Sequence, residues 1–481
     1  MALNILNTAV NLPGEFVKHT INVAIGTVGN DGILEIAWNV FRRATQKAIL
    51  TTVAVILKTT LSAMIGYLGP VNSIWKAIID NPANQELFNT LKKDWWKVAR
   101  FLVDLLEPMK RFVCAGSIDG TPPPDAVKWN KYNELDLSQP MNRHAVLSQI
   151  QRFFKSFIEV FRQKNFNVDD FVMDTKLETD CTGPAETITG LKREKDNPKQ
   201  AETWLFVNGI AGEFYWNHLA ISKIQDFFFD EDTHPEDKSD ETEKRRTIIN
   251  GVFNRSDGIL WDLIECAGER RPEVSVVKSS SNTSRKTPLS SRTASSRDAQ
   301  KTLSDALRAA LSDSKKSGKN IIMIAHSQGC LLLRLVLEAI FADKKAHLQG
   351  VMRERLHVYT FGNPAYDWDV HAHTASTEHF ANELDYVAKL GVLRQYSSDS
   401  RDGVKNDLTY CSICRSGDKT HTPKQRIFVN NQNQSGHLFG SQYSLQDRDY
   451  DCVKGTGGPS ELLSRSERRS VHHADEHVVG R

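Results

Sequence analysis

The sequence predicts an α/β protein, with a mostly parallel central sheet flanked by helices and a helical region in front of it. Two observations carry this. From Thr203 to Val429, short apolar runs alternate with stretches whose apolar residues recur at helical spacing, the pattern of strand–helix units. One of these units is written without a gap. Ile321 to Ile324 is a continuous apolar run, as in a strand buried on both faces, and Leu332, Leu333, Val336, Leu337 and Ile340 follow at helical spacing. Only Ala325-His326-Ser327-Gln328-Gly329 stands between them. A strand that becomes a helix over so few residues turns sharply, which calls for small residues at Ala325 and Gly329. The turn lifts Ser327 clear of the sheet at the start of the helix.

Composition sets the outer bounds. The chain has 481 residues, 40% hydrophobic and 25% charged, with a formal net charge of +2. That length holds one large domain plus a second region. So small a basic excess gives no reason to expect nucleic acid as a partner. Seven cysteines scattered along the chain form no disulfide framework. The start, Met1-Ala-Leu-Asn-Ile-Leu6, lacks the basic residues and compact apolar core of a secretory signal, so an intracellular protein, cytoplasmic or membrane-associated, is expected.

In chain order, residues 1–115 read as helical. Residues 46–71 are the most apolar, but Lys47, Thr51, Lys58 and Ser62 gather on one stripe of the helix. Such a stripe suits a buried amphipathic helix first, then a helix lying on a membrane surface, then a span. Trp95, Trp96, Phe101 and Leu105 mark a second helix, from about Leu91 to Glu107. Gly116 to Pro124 breaks helix and opens a linker, and residues 116–200 are assigned to this linker plus an amphipathic helix from Arg143 to about Lys164. Residues 201–445 form the α/β domain. Its strands are Thr203–Val207, Arg246–Phe253, Ile321–Ile324, Arg355–Phe361, His379–Val387 and Ile427–Val429. Helices are expected from Trp216 to Phe229, within Asn254–Cys266 (a turn entering a helix), and from Asp298 to about Ser314. Residues 275–297, rich in Ser, Thr, Arg and Lys, read as a flexible insertion. Residues 446–481 read as a polar tail.

In a parallel sheet, functional side chains gather on loops beyond the strands' C-terminal ends. Ser327, Asp385, His437 and the glycine-bearing loop Asn208-Gly209-Ile210-Ala211-Gly212 all lie there. A serine hydroxyl becomes a nucleophile when a base takes its proton and a carboxylate orients that base. Asp367 and Asp369 rival Asp385 as the carboxylate, one strand earlier. His437 follows the last strand closely, whereas His421 precedes it and His472, His473 and His477 lie in the tail. Cys411 and Cys414 stand at ligand spacing near His421, but with no second cysteine pair no metal centre is expected.

The strand–turn–helix around Ala-His-Ser-Gln-Gly, and the order Ser…Asp…His, resemble the α/β-hydrolase superfamily and, within it, lipase-like serine esterases. Asn208-Gly-Ile-Ala-Gly212 is similar to the family's His-Gly-x-Gly-Gly loop, with Asn in place of His. Tyr359-Thr-Phe-Gly-Asn-Pro364, Phe380 to Val387, and Gly436-His437-Leu with Tyr443 downstream are similar to the strands and loop that carry the family's acid and histidine. The resemblance covers about residues 200–445. It implies hydrolysis of carboxylic esters, lipid-like ones foremost, without a cofactor. Ser327 would be the nucleophile, His437 the base and Asp385 its orienting acid. The backbone N–H groups of Gln328 and Ile210 would hold the oxyanion, and Asn208, Gly209 and Gly329 would support the loops. A non-catalytic binding or scaffold domain on the same fold is the alternative.

Overall fold

The structure is a computed structural model. It describes residues 130–136, 139–162, 173–178, 180, 187–189, 202–229, 249–269, 289–291, 293–313, 319–343, 346–394, 425–430, 436–454 and 458–465. The expectations for residues 1–115, for Cys411, Cys414 and His421, and for the histidines of the tail lie outside the described residues. Among those described, no helix is long and apolar enough to cross a membrane.

One eight-stranded sheet organises the described part. Its strands are β1 (Thr187–Thr189), β2 (Thr203–Val207), β3 (Ile249–Val252), β4 (Ile321–His326), β5 (Leu356–Phe361), β6 (Ser376–Asn382), β7 (Gln425–Asn430) and β8 (Asp451–Lys454). They are ordered β1-β3-β2-β4-β5-β6-β7-β8. The six inner strands run parallel, and β1 and β8 close the edges antiparallel. Every residue of β4 is buried, which accounts for its unbroken apolar run. The core beside it is aromatic. Phe361 stacks on Phe380 at 4.7 Å and Phe380 on Phe428 at 5.2 Å, across three neighbouring strands.

The helices are α1 (Pro140–Arg162), α2 (Phe214–Phe229), α3 (Ile259–Glu269), α4 (Ala294–Ser312), α5 (Gln328–Ala342), α6 (Ala346–Arg355) and the short α7 (Tyr386–Leu390). Parallel pairing brings the C-terminal ends of the inner strands to one edge. Val207 pairs with Ala325, His326 with Phe361, and Asn382 with Asn430.

Three expectations need correction. Strand β6 stops at Asn382 instead of running to Val387. A turn follows, and Asp385 caps α7 by accepting the Val387 N–H at 2.8 Å. The tail is folded where it is described, at 446–454 and 458–465: β8 joins the sheet, and Leu462 and Leu463 are fully buried. Two leucines among polar neighbours are too few to show a period. The Ser-rich insertion ends in folded chain, because Ser290, Thr293, Ser295 and Ser296 are buried. The Thr293, Ser295 and Ser296 hydroxyls donate to buried carboxylates, Thr293 also accepting from the Trp261 indole, and Ser290 donates its backbone N–H to Glu269, so this stretch enters the interior without apolar side chains.

Candidate active site

The turn between β4 and α5 carries Ser327 at φ 54° and ψ −126°, a backbone conformation a β-carbon resists. Surrounding bonds hold it there. The Ser327 N–H donates to Phe361 O at 2.8 Å, and Ser327 O accepts from Cys330 N–H at 2.9 Å. A side chain at Gly329 would put its β-carbon 2.6 Å from Asn208 O and 2.9 Å from Val207 O, so only glycine lets α5 start this close to the end of β2. Gly209 lies against Ser327 on that side: a β-carbon there would sit 2.9 Å from the Ser327 Oγ.

Three side chains meet at the strand ends. His437 Nε2 is 2.7 Å from Ser327 Oγ, and His437 Nδ1 is 2.7 Å from Asp385 Oδ2. Because the carboxylate accepts from Nδ1–H, Nε2 is left with the lone pair that faces the hydroxyl. Ser327 and Asp385 are fully buried and His437 is 1% exposed, so these bonds lie out of bulk water, where they are stronger. Tyr443 donates its hydroxyl to the same Asp385 Oδ2 at 2.6 Å. Burial, with Asp385 beside it, pushes the Tyr443 phenol well up and keeps that proton in place. Gly362, at φ +62°, leaves room for the group. A β-carbon there would stand 2.8 Å from Tyr443 Oη and 3.0 Å from Asp385 Oδ2.

The rival carboxylates go elsewhere. Asp367 faces Arg394, 3.8 Å away, and Asp369 opens the 3-10 turn Asp369–His373. His326 has a different task from His437. Its Nε2 donates to the His437 carbonyl at 2.7 Å, and burial together with the neighbouring imidazole holds its pKa well down, so it stays neutral.

The loop Asn208–Gly212 is fixed by buried polar groups on the other side of Ser327. Asn208 exchanges two hydrogen bonds with the backbone of Asn254, at 2.7 and 2.9 Å. The Ala211 N–H donates to Asp262 Oδ2 at 2.8 Å, and the Ser256 hydroxyl donates to the same oxygen at 2.5 Å. Glu213 accepts from Gln149 at 2.8 Å and from Arg152 at 3.1 Å, both on α1. The Gln328 side chain accepts from Asn254 at 2.8 Å and donates to Glu265. Among the described residues, the main-chain N–H groups of Gln328 and Ile210 meet no acceptor. Burial raises Asp262 to about 7 and Glu265 to about 8, against the hydroxyl and amide donors that favour their ionised forms.

The residues assigned to the site from the sequence thus lie at this edge, whereas Asp367 and Asp369 do not. Ser327, His437 and Asp385 are hydrogen-bonded in series, and Asn208, Gly209 and Gly329 pack beside the serine. Asn254, Asp262 and Glu265 were missed. The only sequence signal for the two acids is their three-residue spacing on α3, which puts them on one helix face. Chemically, the series can draw the proton from a hydroxyl as its oxygen attacks an electrophilic carbon, and can store the resulting charge on an oriented imidazole. Among the described residues, no group of three or more His, Cys, Asp or Glu could hold a metal ion. Comparison with protein-family models and with curated proteins finds no match to this chain.

Proposed function

We propose that this chain is a serine ester hydrolase of the α/β-hydrolase superfamily, lipase-like, acting on carboxylic esters through an acyl-enzyme. One observation carries the reading. A serine held at positive φ between a buried strand and a helix is hydrogen-bonded to a histidine that is hydrogen-bonded to a buried carboxylate. His437 takes the Ser327 proton as Oγ attacks the acyl carbon. The charge that develops on the carbonyl oxygen is met by the N–H groups of Gln328 and Ile210, donors in place before the reaction. His437 then gives its proton to the leaving alcohol. Water, activated by the same imidazole, releases the acid and restores Ser327.

The preference for lipid-like esters rests on the likeness of the Ala-His-Ser-Gln-Gly, Asn208–Gly212 and Gly436-His437 segments to lipases. The apolar residues 46–71 would supply a membrane-surface contact to an intracellular enzyme. Labelling of the purified chain with an alkyl fluorophosphonate, followed by an ester screen across acyl lengths, tests the proposal. Modification at Ser327 that is lost in Ser327→Ala supports it. A wild-type chain that neither labels nor turns over any ester is a binding or scaffold domain instead.

A further inference from the structure

The loop after His437 has no regular secondary structure, yet its backbone is tied down by two charged side chains from distant parts of the chain. Lys223, on α2, donates from Nζ to Phe439 O at 3.0 Å, to Gly440 O at 2.9 Å and to Tyr443 O. Glu134, 4% exposed, accepts the Gly440 N–H at 2.5 Å and the Ser441 N–H at 2.9 Å. Asn130 adds a bond to Gly440 O at 3.1 Å, and Gly440 packs so tightly that a β-carbon would come within 2.1 Å of Tyr132 O. A cation among carbonyls and a carboxylate among amides are each paired as their charge requires, and charge-assisted bonds are the stronger kind.

The same loop delivers two groups to Asp385: His437 at its start and the Tyr443 hydroxyl at its end. A shift of the loop therefore breaks both side-chain bonds to Asp385 Oδ2 together. Neither Lys223 nor Glu134 hydrogen-bonds to Ser327, Asp385 or the His437 ring, so their influence passes through the backbone. We propose that Lys223 and Glu134 are the positioning residues of His437, clamping Phe439–Tyr443 so that imidazole and phenol reach Asp385 in register. The segment 130–136, assigned from the sequence to a linker, then belongs to the working site. This inference rests on the hydrolase reading above.

The test is the rate at which an alkyl fluorophosphonate modifies Ser327 in the full-length chain, a direct measure of how well His437 activates the serine. It is paired with the melting temperature and with kcat and KM on whichever ester the screen selects. Lys223→Met should slow labelling tenfold or more and lower kcat while KM stays within twofold. Glu134→Gln, which keeps an acceptor oxygen, should lose less. The double variant should be little worse than Lys223→Met, because both act on one loop. A lowered melting temperature with an unchanged labelling rate per folded molecule overturns the proposal and leaves the pair a merely structural one. Should Lys223→Met fail to fold, an unchanged labelling rate in folded Glu134→Gln overturns it equally. Absence of labelling in the wild type sinks the hydrolase reading itself, and the positioning role with it, a result separable from the others.

Discussion

The two flanks of Ser327 are held by opposite electrostatic means. On the histidine flank a cation and an anion share the work: Lys223 gathers carbonyls and Glu134 gathers amides of one loop. On the flank of Asn208–Gly212, Glu213 is paired with Arg152, but Asp262, which holds the Ala211 N–H, and Glu265, which holds Gln328, are acids without such a partner. Asp262 and Glu265 are satisfied by hydroxyl and amide donors, and among the described residues neither forms an ion pair. Burial pulls Lys223 down to about 8 and pushes Glu134 up, but each has donors or acceptors matched to its charge. Asp262 and Glu265 on the other flank sit between their neutral and ionised forms near neutrality. Lys223 keeps its charge, and its hold on the loop, only below about pH 8. The fixing of each loop thus depends on protons.

The sharpest way to break this comparison is to remove the acid both histidine-flank groups converge on. Asp385→Asn keeps size and the α7 cap but lets the imidazole adopt the wrong tautomer. Turnover should fall about 10⁴-fold, by analogy with the corresponding serine-protease change. Asp367→Asn, which removes no bond of the Ser327–His437–Asp385 series, should keep turnover within about twofold of wild type. Steady-state rates of both variants, with melting curves, decide the matter: loss in Asp367→Asn and retention in Asp385→Asn would put the acid one strand earlier.

A milder perturbation is steric. Gly362→Ala introduces a β-carbon at φ +62° within 3.0 Å of Asp385 Oδ2 and 2.8 Å of Tyr443 Oη. A displaced acid should lower kcat more than tenfold, about 1.4 kcal/mol of transition-state stabilisation. An alanine variant with full kcat would mean that the Tyr443–Asp385 contact is dispensable.

Protons probe the other flank. Asp262 is raised from 3.8 in the unfolded chain to about 7, so the native state holds a proton that the unfolded state has released. Its contribution to stability is greatest below the unfolded pKa and declines as pH rises toward 7, by up to about 1.4 kcal/mol per pH unit. Glu265 acts the same way over the window from 4.5 to about 8. Urea denaturation at pH 5, 6, 7 and 8 should show this fall in the wild type and a flatter one in Asp262→Asn. Equal slopes in the two proteins would remove Asp262 from the account.

The smallest expected effect lies at the point where the flanks meet. Ser327→Gly relieves a strained backbone that Ser327→Ala retains, so the glycine variant should be more stable than the alanine variant by about 1 kcal/mol. Differential scanning calorimetry of the two variants reads the difference. A more stable alanine variant would mean that the turn stores no strain.

What was legible in the sequence was what is local. The Ser327 turn is written in five residues because strand, turn and helix are contiguous. His437 could be found because it closely follows the last apolar run. Asp385 was found by chain order, but its setting was misjudged, because a five-residue helix is too short to interrupt a strand pattern. Partners distant in sequence left no such trace. Lys223 and Glu134 look like any solvated charges until the fold brings them to one loop. Thr293, Ser295 and Ser296 read as solvent-exposed because composition does not reveal that buried carboxylates await their hydroxyls. Strand β8 has four residues and no alternation to betray it.

The clamp at Gly440 also sets an order of events during synthesis. Glu134 and Gly440 are separated by 306 positions. At about 5–20 residues per second, the ribosome needs roughly 15–60 s to add the loop after the carboxylate that will hold it. Over that interval Glu134 and Lys223 are charged groups without their final partners, and Ser327 stands without a base. On the proposed hydrolase reading, a nascent chain stays inactive until His437, in its last tenth, has emerged.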